Sequence, residues 1–185
     1  GGAVLAVGQT DLKRLLGYSA VAQAGFILTG VVSADGLGLS ATLFYLATYA
    51  LTTMGAFAVI SLVRNHTGGE ETAIANWVGM GRRHPLTAMV FALFLLAFAG
   101  IPLTSGFIGK FAVFSAAAHG GQLLLVLVGV IASAVTAFVY AKVVVWMYSD
   151  DVPAQPAVVY TPSWLTGATI VAAAAATLTF GFMPQ

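Results

Sequence analysis

Cysteine is absent from the 185 residues, and charge is nearly so, with Asp, Glu, Lys and Arg making up 7% of the chain. The first absence excludes disulfides and thiolate-held clusters. The second excludes water as the main solvent, since a soluble domain carries about 25% charged residues. No run of basic residues alternates with aromatics, which excludes a nucleic-acid surface. The three histidines, His66, His84 and His119, lie at span ends or in a loop and form no metal-ligand pattern. No nucleophile triad, phosphate loop or haem-binding pattern is present.

What remains is 59% hydrophobic, arranged in runs long enough to cross a bilayer. The reading is an all-α, polytopic transmembrane bundle of about five spans in a single membrane domain, 1–185. Residues 1–9 read as the end of a helix, and the opening Gly1-Gly2-Ala3-Val4 as the tail of an apolar helix begun upstream. The expectation is therefore a C-terminal part of something longer. Asp11, Lys13 and Arg14 read as a charged loop. Spans follow at Leu15–Ser33 and Ser40–Val63, separated by a turn at Asp35, Gly36 and Gly38. A polar stretch, Arg64–Pro85, leads to a third apolar stretch, Leu86–Ala118. Gly120-Gly121 then turns the chain into a fourth span, Gln122–Tyr148. Pro162–Met183 is the fifth.

Orientation follows from where the basic residues fall. Lys13, Arg14, Arg64, Arg82 and Arg83 belong to loops on one side of this five-span arrangement, and the other side's loops hold no Lys or Arg. The positive-inside rule makes the first side cytoplasmic. Within that side, Ile74, Trp77, Val78 and Gly81 have the spacing of a short interfacial helix, or belong to a plain loop with a tryptophan anchor.

The third stretch stands apart. Its roughly 33 residues would make a straight helix about 50 Å long, against a hydrocarbon core of about 30 Å. Gly100-Ile101-Pro102-Leu103-Thr104-Ser105-Gly106 marks a break. Pro102 removes a backbone donor, Gly100 and Gly106 allow non-helical dihedrals, and Thr104 or Ser105 can cap a restarting helix. Two half-helices joined by unwound backbone are expected, a form tolerated at membrane depth only inside protein or beside a wet cavity.

Lys110 lies just beyond the break, near the positive end of the second half-helix. A charged lysine at bilayer depth costs about 2.5–3.5 kcal/mol. At that cost a lysine is a group that can take and release a proton, or be switched by a nearby charge. The alternative is a lysine snorkelling along a helix end. Lys142, near Tyr140, Trp146 and Tyr148, fits snorkelling into an aromatic belt as well as it fits a proton path. Tyr45, Thr48, Tyr49 and Thr52 recur at i, i+3, i+4 and i+7, which gives one helical face, either interhelical packing or a hydrated surface beside Lys110. Gln23 is ambiguous in the same way. Every carboxylate falls in a loop or at its edge.

These residues also carry a resemblance. Gln9-Thr10-Asp11-Leu12-Lys13-Arg14-Leu15-Leu16-Gly17-Tyr18-Ser19, with Gln23-Ala24-Gly25-Phe26, resembles a loop and helix start shared by antiporter-like proton-pumping subunits. These occur in NADH–quinone oxidoreductase (complex I) and in multisubunit cation/proton antiporters. Gly100 to Phe111 is similar to the broken-helix motif of N-type subunits. Phe44 to Phe57 resembles their uncharged, Tyr- and Gly-bearing helix rather than the His- and Lys-bearing helix of L- and M-types. The resemblance implies a fourteen-helix subunit with two inverted five-helix repeats, of which this chain holds the end of helix nine to helix fourteen. It implies a proton-path role for Lys110 on a central hydrophilic axis. It also implies other membrane-arm subunits, lipid and protons as partners, with no nucleic acid. No cofactor is expected in this chain, since NADH, flavin, iron–sulfur clusters and quinone belong to other subunits. A bacterial inner membrane is the implied location. The alternatives are a subunit of a sodium/proton antiporter, or a structural membrane subunit without a proton path.

Overall fold

The computed structural model describes residues 1–32, 36–151 and 153–182, and Ser33, Ala34, Asp35, Val152 and Met183 to Gln185 lie outside them. Eight helices are present among the described residues: α1 (Gly2–Val7), α2 (Leu12–Val32), α3 (Gly36–Leu62), α4 (Met80–Arg83), α5 (Pro85–Ala99), α6 (Ser105–His119), α7 (Leu123–Met147) and α8 (Trp164–Phe182). Four of them, α2, α3, α7 and α8, are long and apolar enough to cross a membrane by themselves. The pair α5 and α6 supplies the fifth crossing in two pieces of 15 residues each. The all-α bundle with a discontinuous third span is the observed architecture.

Two loop assignments are corrected. Lys13 and Arg14 belong to the first turn of α2 rather than to a loop. The Asp11 carboxylate accepts from the Arg14 amide at 2.9 Å, as an N-cap does, so the helix starts earlier than its charge suggests. Burial alone would raise the Asp11 pKa. The Thr72 hydroxyl, the Arg14 amide and the nearby Arg14 charge outweigh it and hold the carboxyl below its ordinary range. Gly36 and Gly38 are helical as well, in the first turns of α3, because the apolar pattern of α3 extends through them. Asp35, assigned to the same turn, lies outside the described residues.

The three loop segments of the basic side are tied together at one end of the bundle. A two-residue strand β1 (Val63–Arg64) pairs antiparallel with β2 (Val158–Val159). Leu12 N donates to Thr72 O at 2.7 Å, and Ile74 N donates to Thr10 O at 2.9 Å. Ion pairs join Lys13 to Glu70 and Arg82 to Asp150. Ile74–Trp77 is a 3-10 turn whose Ile74 and Trp77 are buried, not the apolar face of an interfacial helix. The Trp77 ring packs at a tilt against Phe91 of α5, with centroids 4.9 Å apart, and donates its indole N–H to Glu71 O at 2.8 Å. Each element here is too short to hold itself, so packing on the bundle end sets its form.

Within the bundle the helices touch through small residues, as expected where lipid removes the hydrophobic incentive to associate. A Cβ at Gly55 of α3 would lie 2.4 Å from the Phe94 ring of α5, and one at Gly109 of α6 would lie 2.6 Å from the Tyr45 ring of α3. By contrast α8 buries only Ala173 and Thr177 and leaves most of its apolar side chains on the outside.

Candidate functional site

The break occupies residues 100–104. α5 ends on Gly100, which is left-handed (φ 80°, ψ 44°), and its N–H caps the helix on Leu96 O and Ala97 O. Leu103 is the one non-glycine with positive φ among the described residues (φ 72°), a conformation a side chain adopts at a cost. Thr104 stands at the N-cap of α6 in extended conformation, but neither it nor Ser105 caps the helix as expected. The Thr104 hydroxyl donates to Ile101 O at 2.7 Å, closing the loop on itself. The Ser105 hydroxyl is buried without a protein partner.

Gly106 has a different role from the one its position suggests. It is helical, and its lack of a Cβ admits Ala97 O, which would lie 1.8 Å from one. The freedom of dihedral expected of Gly106 is therefore used by Leu103, and Gly106 serves close approach. Gly181 of α8 similarly admits the Leu103 carbonyl. The two ends of the break are thus packed closely on α5 and α8, while Ile101, Pro102 and Leu103 between them are exposed on this chain.

Lys110 is the sixth residue of α6 and only 5% exposed. Its ammonium donates to Phe98 O at 2.8 Å, Ala99 O at 3.1 Å and the Ser133 hydroxyl of α7 at 3.0 Å. Its three donors thus meet three acceptors. The Phe26 ring of α2 lies 5.1 Å from the nitrogen. This geometry bears on the snorkelling reading alone. Helical side chains lean toward their helix N-terminus, so Lys110 reaches back across the break rather than out toward His119, and it does not snorkel. The same lean corrects the expected electrostatics. The ammonium lies against the carbonyl, negative end of α5, not the positive end of α6. Gly100 makes room for it, since a Cβ there would lie 2.9 Å from Lys110 Cδ. On the α7 side a cavity of about 320 Å³, lined by Gly100, Phe107, Lys110, Phe114 and Ser133 among others, reaches the ammonium.

The polar face of α3 divides. Tyr45, Thr48, Tyr49 and Thr52 do come together around a cavity of about 10 Å³, with Gln23, Ala97, Phe98 and Gly106. Thr48 and Thr52 donate to their own helix, to Phe44 O at 3.0 Å and Thr48 O at 2.8 Å, and Thr52 also meets Thr177 of α8 at 3.3 Å. Thr52 therefore makes the interhelical contact, while Thr48 bonds only within α3. Tyr45 is different, because it donates to the Gln23 side chain. Gln23 in turn donates to Phe98 O at 3.0 Å, the carbonyl that also receives Lys110. Tyr49 is half-buried, with its ring edge-on to Phe98 at 5.7 Å.

Lys142 is not brought to this site. It is exposed on α7, with its ammonium 4.5 Å from the Trp146 ring, beside a groove of about 450 Å³ shared with Val7 to Thr10 and Asp151. Ser19, Ser133 and Tyr140 were missed as site residues. Tyr140 and Ser19 are hydrogen-bonded to each other and fully buried. Isolated hydroxyls on apolar helices carry little signal until a partner from another helix is known. Among the described residues no three His, Asp or Glu side chains gather in one place.

Comparison with known proteins gives this architecture a family. Residues 1–136 match the family described as NADH:quinone oxidoreductase/Mrp antiporter, TM. The whole chain is 57% identical to NADH-quinone oxidoreductase subunit N 3 of Streptomyces griseus, covering 33% of that protein. It is 54% identical to subunit N of Rhodococcus opacus, covering 34%. The chain therefore spans about a third of the length of the curated relatives it matches. Among solved structures, a chain of respiratory complex I from Thermus thermophilus with bound aureothin superposes with a TM-score of 0.84 at 30% identity, over 99% of this chain and 40% of that one. A chain of the Mrp complex from Dietzia shares the fold, with a TM-score of 0.77 at 22% identity, over 97% of this chain and 41% of that one. With its broken span and its buried lysine, the chain belongs to the NADH:quinone oxidoreductase/Mrp antiporter transmembrane family.

Proposed function

We propose that this chain is the C-terminal part of an N-type, proton-translocating subunit in the membrane arm of a bacterial NADH–quinone oxidoreductase, and that Lys110 carries the proton. The observation that supports this reading is the ammonium itself. It is buried beside a broken helix, on two carbonyls and one hydroxyl, with no carboxylate among its hydrogen-bond partners. A lysine so placed keeps or loses its proton according to small changes in the field around it, because its partners among the described residues are all neutral. Charge displacement driven by redox chemistry in other subunits, which would hold the NADH, flavin, iron–sulfur and quinone sites, would then change its protonation. The partners on this reading are the neighbouring membrane-arm subunits and the lipid of the bacterial plasma membrane.

Identity above 50% to subunit N proteins, against 22% to the Mrp chain, favours this reading over the antiporter one. The test is Lys110→Ala in the full-length subunit of the assembled complex, measuring NADH-driven proton uptake into vesicles, turnover and assembly. Proton uptake reduced by about tenfold or more, the scale of removing a proton-transfer group, is expected with assembly intact. Wild-type pumping and turnover would leave Lys110 a structural lysine and defeat the proposal.

A further inference from the structure

The Lys110 ammonium has a further neighbour that the proposed role does not use. Its three N–H groups go to Phe98 O, Ala99 O and the Ser133 hydroxyl, from α5 and α7. From α2 comes an aromatic face instead, the Phe26 ring, with its centroid 5.1 Å from the nitrogen. Phe26 is only 3% exposed. Its ring is braced by Phe114, one turn beyond Lys110 on α6, which meets it nearly perpendicular with centroids 5.8 Å apart. Phe114 in turn lies against α7 where Gly129 has no side chain, since a Cβ there would lie 2.7 Å from its ring. Ile27, Tyr45 and Val113 are buried in the same cluster. Packing among α2, α3, α6 and α7 thus fixes where the Phe26 ring stands.

Any apolar side chain of that size could close this side of the lysine, but a phenyl face does one thing more. Its electron density attracts a cation, and the attraction grows where water is excluded. The carbonyls and the hydroxyl serve both states of the lysine, because a neutral amine keeps two N–H donors and gains a lone pair for the Ser133 hydroxyl to meet. The ring face favours the ammonium and offers the lone pair nothing. Of the four neighbours it therefore discriminates by charge alone.

Other titratable groups near Lys110 are phenols: Tyr45 and Tyr49 of α3 and Tyr140 of α7. Phenols ordinarily stay neutral until about pH 10. α5 and α8 carry no titratable side chain, and those of α2 (Lys13, Arg14 and Tyr18) sit in its first two turns. On α6 itself the other is His119, at its far end. Lys142 of α7 is exposed.

Resting on the proton role of Lys110, we infer that Phe26 is a positioning residue whose ring face sets how tightly Lys110 holds its proton. The ring exchanges no atom. The bond made and broken is one N–H of Lys110, and Phe26 weights the protonated side of that step.

The experiment uses the full-length subunit in the assembled complex, reconstituted in vesicles, and reads NADH-driven proton uptake against pH. Phe26 is replaced by mono-, di- and trifluorophenylalanine, which draw electron density off the ring face at nearly constant shape, and separately by leucine. Lys110→Ala is measured in parallel. With the ring face weakened, the lysine is reprotonated less readily, so the alkaline limb of the profile is expected to move to lower pH with each added fluorine. In Phe26→Leu it should move furthest, by about one pH unit, the scale of a cation–π contact away from water. Pumping on the acid side should stay near wild type across the fluorinated set. A ring that only fills space would leave every fluorinated profile where the wild type has it. That result, with Lys110→Ala impaired, overturns this inference and leaves the proposed function standing. If Phe26→Leu does not assemble, the fluorinated series decides alone. An unimpaired Lys110→Ala overturns both.

Discussion

Two lysines on apolar helices of the same bundle have opposite surroundings. Lys110 lies beside a helix that stops and restarts, and its nitrogen is enclosed by two carbonyls, a hydroxyl and an aromatic face. Lys142 lies on an unbroken helix, exposed, its nitrogen over the Trp146 ring near the basic-loop end. In a continuous helix every backbone carbonyl is engaged four residues on, so a lysine on it finds only side chains, water or the interface. A break frees the last carbonyls of the first half-helix and turns them into ligands for a cation. The difference teaches that the break at residues 100–104 is what allows a charge to rest at that depth. The sequence motif and the lysine are two parts of one device.

The comparison is broken most forcefully by changing the buried cation without removing its charge. Lys110→Arg keeps a cation but one that stays protonated throughout the accessible pH range. Its larger head also has to fit where Gly100 already approaches the side chain closely. Pumping is expected to fall nearly as far as in Lys110→Ala, by about tenfold or more, in vesicles containing the full-length complex. Pumping near wild type would mean that a fixed charge suffices and that no proton is exchanged there.

A smaller effect is expected at Gly100. Gly100→Ala places a Cβ on a residue with φ of 80° and within 2.9 Å of Lys110 Cδ. The left-handed backbone alone costs about 1–2 kcal/mol for a residue with a side chain. Thermal inactivation of the complex should come at lower temperature, with a partial loss of pumping as the lysine is displaced from Phe98 O. Unchanged stability and unchanged pumping would show that the cap can relax without moving the ammonium.

The smallest effect belongs to the exposed partner in the comparison. Lys142→Gln should leave protons per NADH at the wild-type value, because the side chain touches nothing in the buried network. A loss as large as that of Lys110→Ala would erase the distinction and place Lys142 on the path.

Much of this protein is legible without coordinates, for a specific reason. Lipid exposure demands long apolar runs, and the span boundaries at α2, α3, α7 and α8 fall within a few residues of the hydropathy reading. Pro102 and Gly100 betray the break, and Lys110 stands out because almost nothing charged accompanies it. What was not legible has the opposite character. Gly106 looked like a free hinge and is a contact point, while Leu103, without any turn signature, takes the strained conformation. Trp77 looked like an interfacial anchor and is a core residue of the end cap. Ser19, Ser133 and Tyr140 were silent because a single hydroxyl on an apolar helix reads the same whether it faces a partner or lipid.

The sequence by itself determined the solvent, the number and order of the spans, the place where the third span breaks, and the presence of one lysine at that depth. These are properties of composition and of short segments, set by the requirement that backbone polar groups be satisfied within each helix in lipid. Only the tertiary structure decided which carbonyls receive the ammonium, that Gln23 shares one of them, and that Tyr45 but not Thr48 or Thr52 joins the network. Those choices depend on the rotation of each helix about its own axis. Close packing through Gly55, Gly106, Gly109 and Gly181 sets that rotation, and no single helix encodes it.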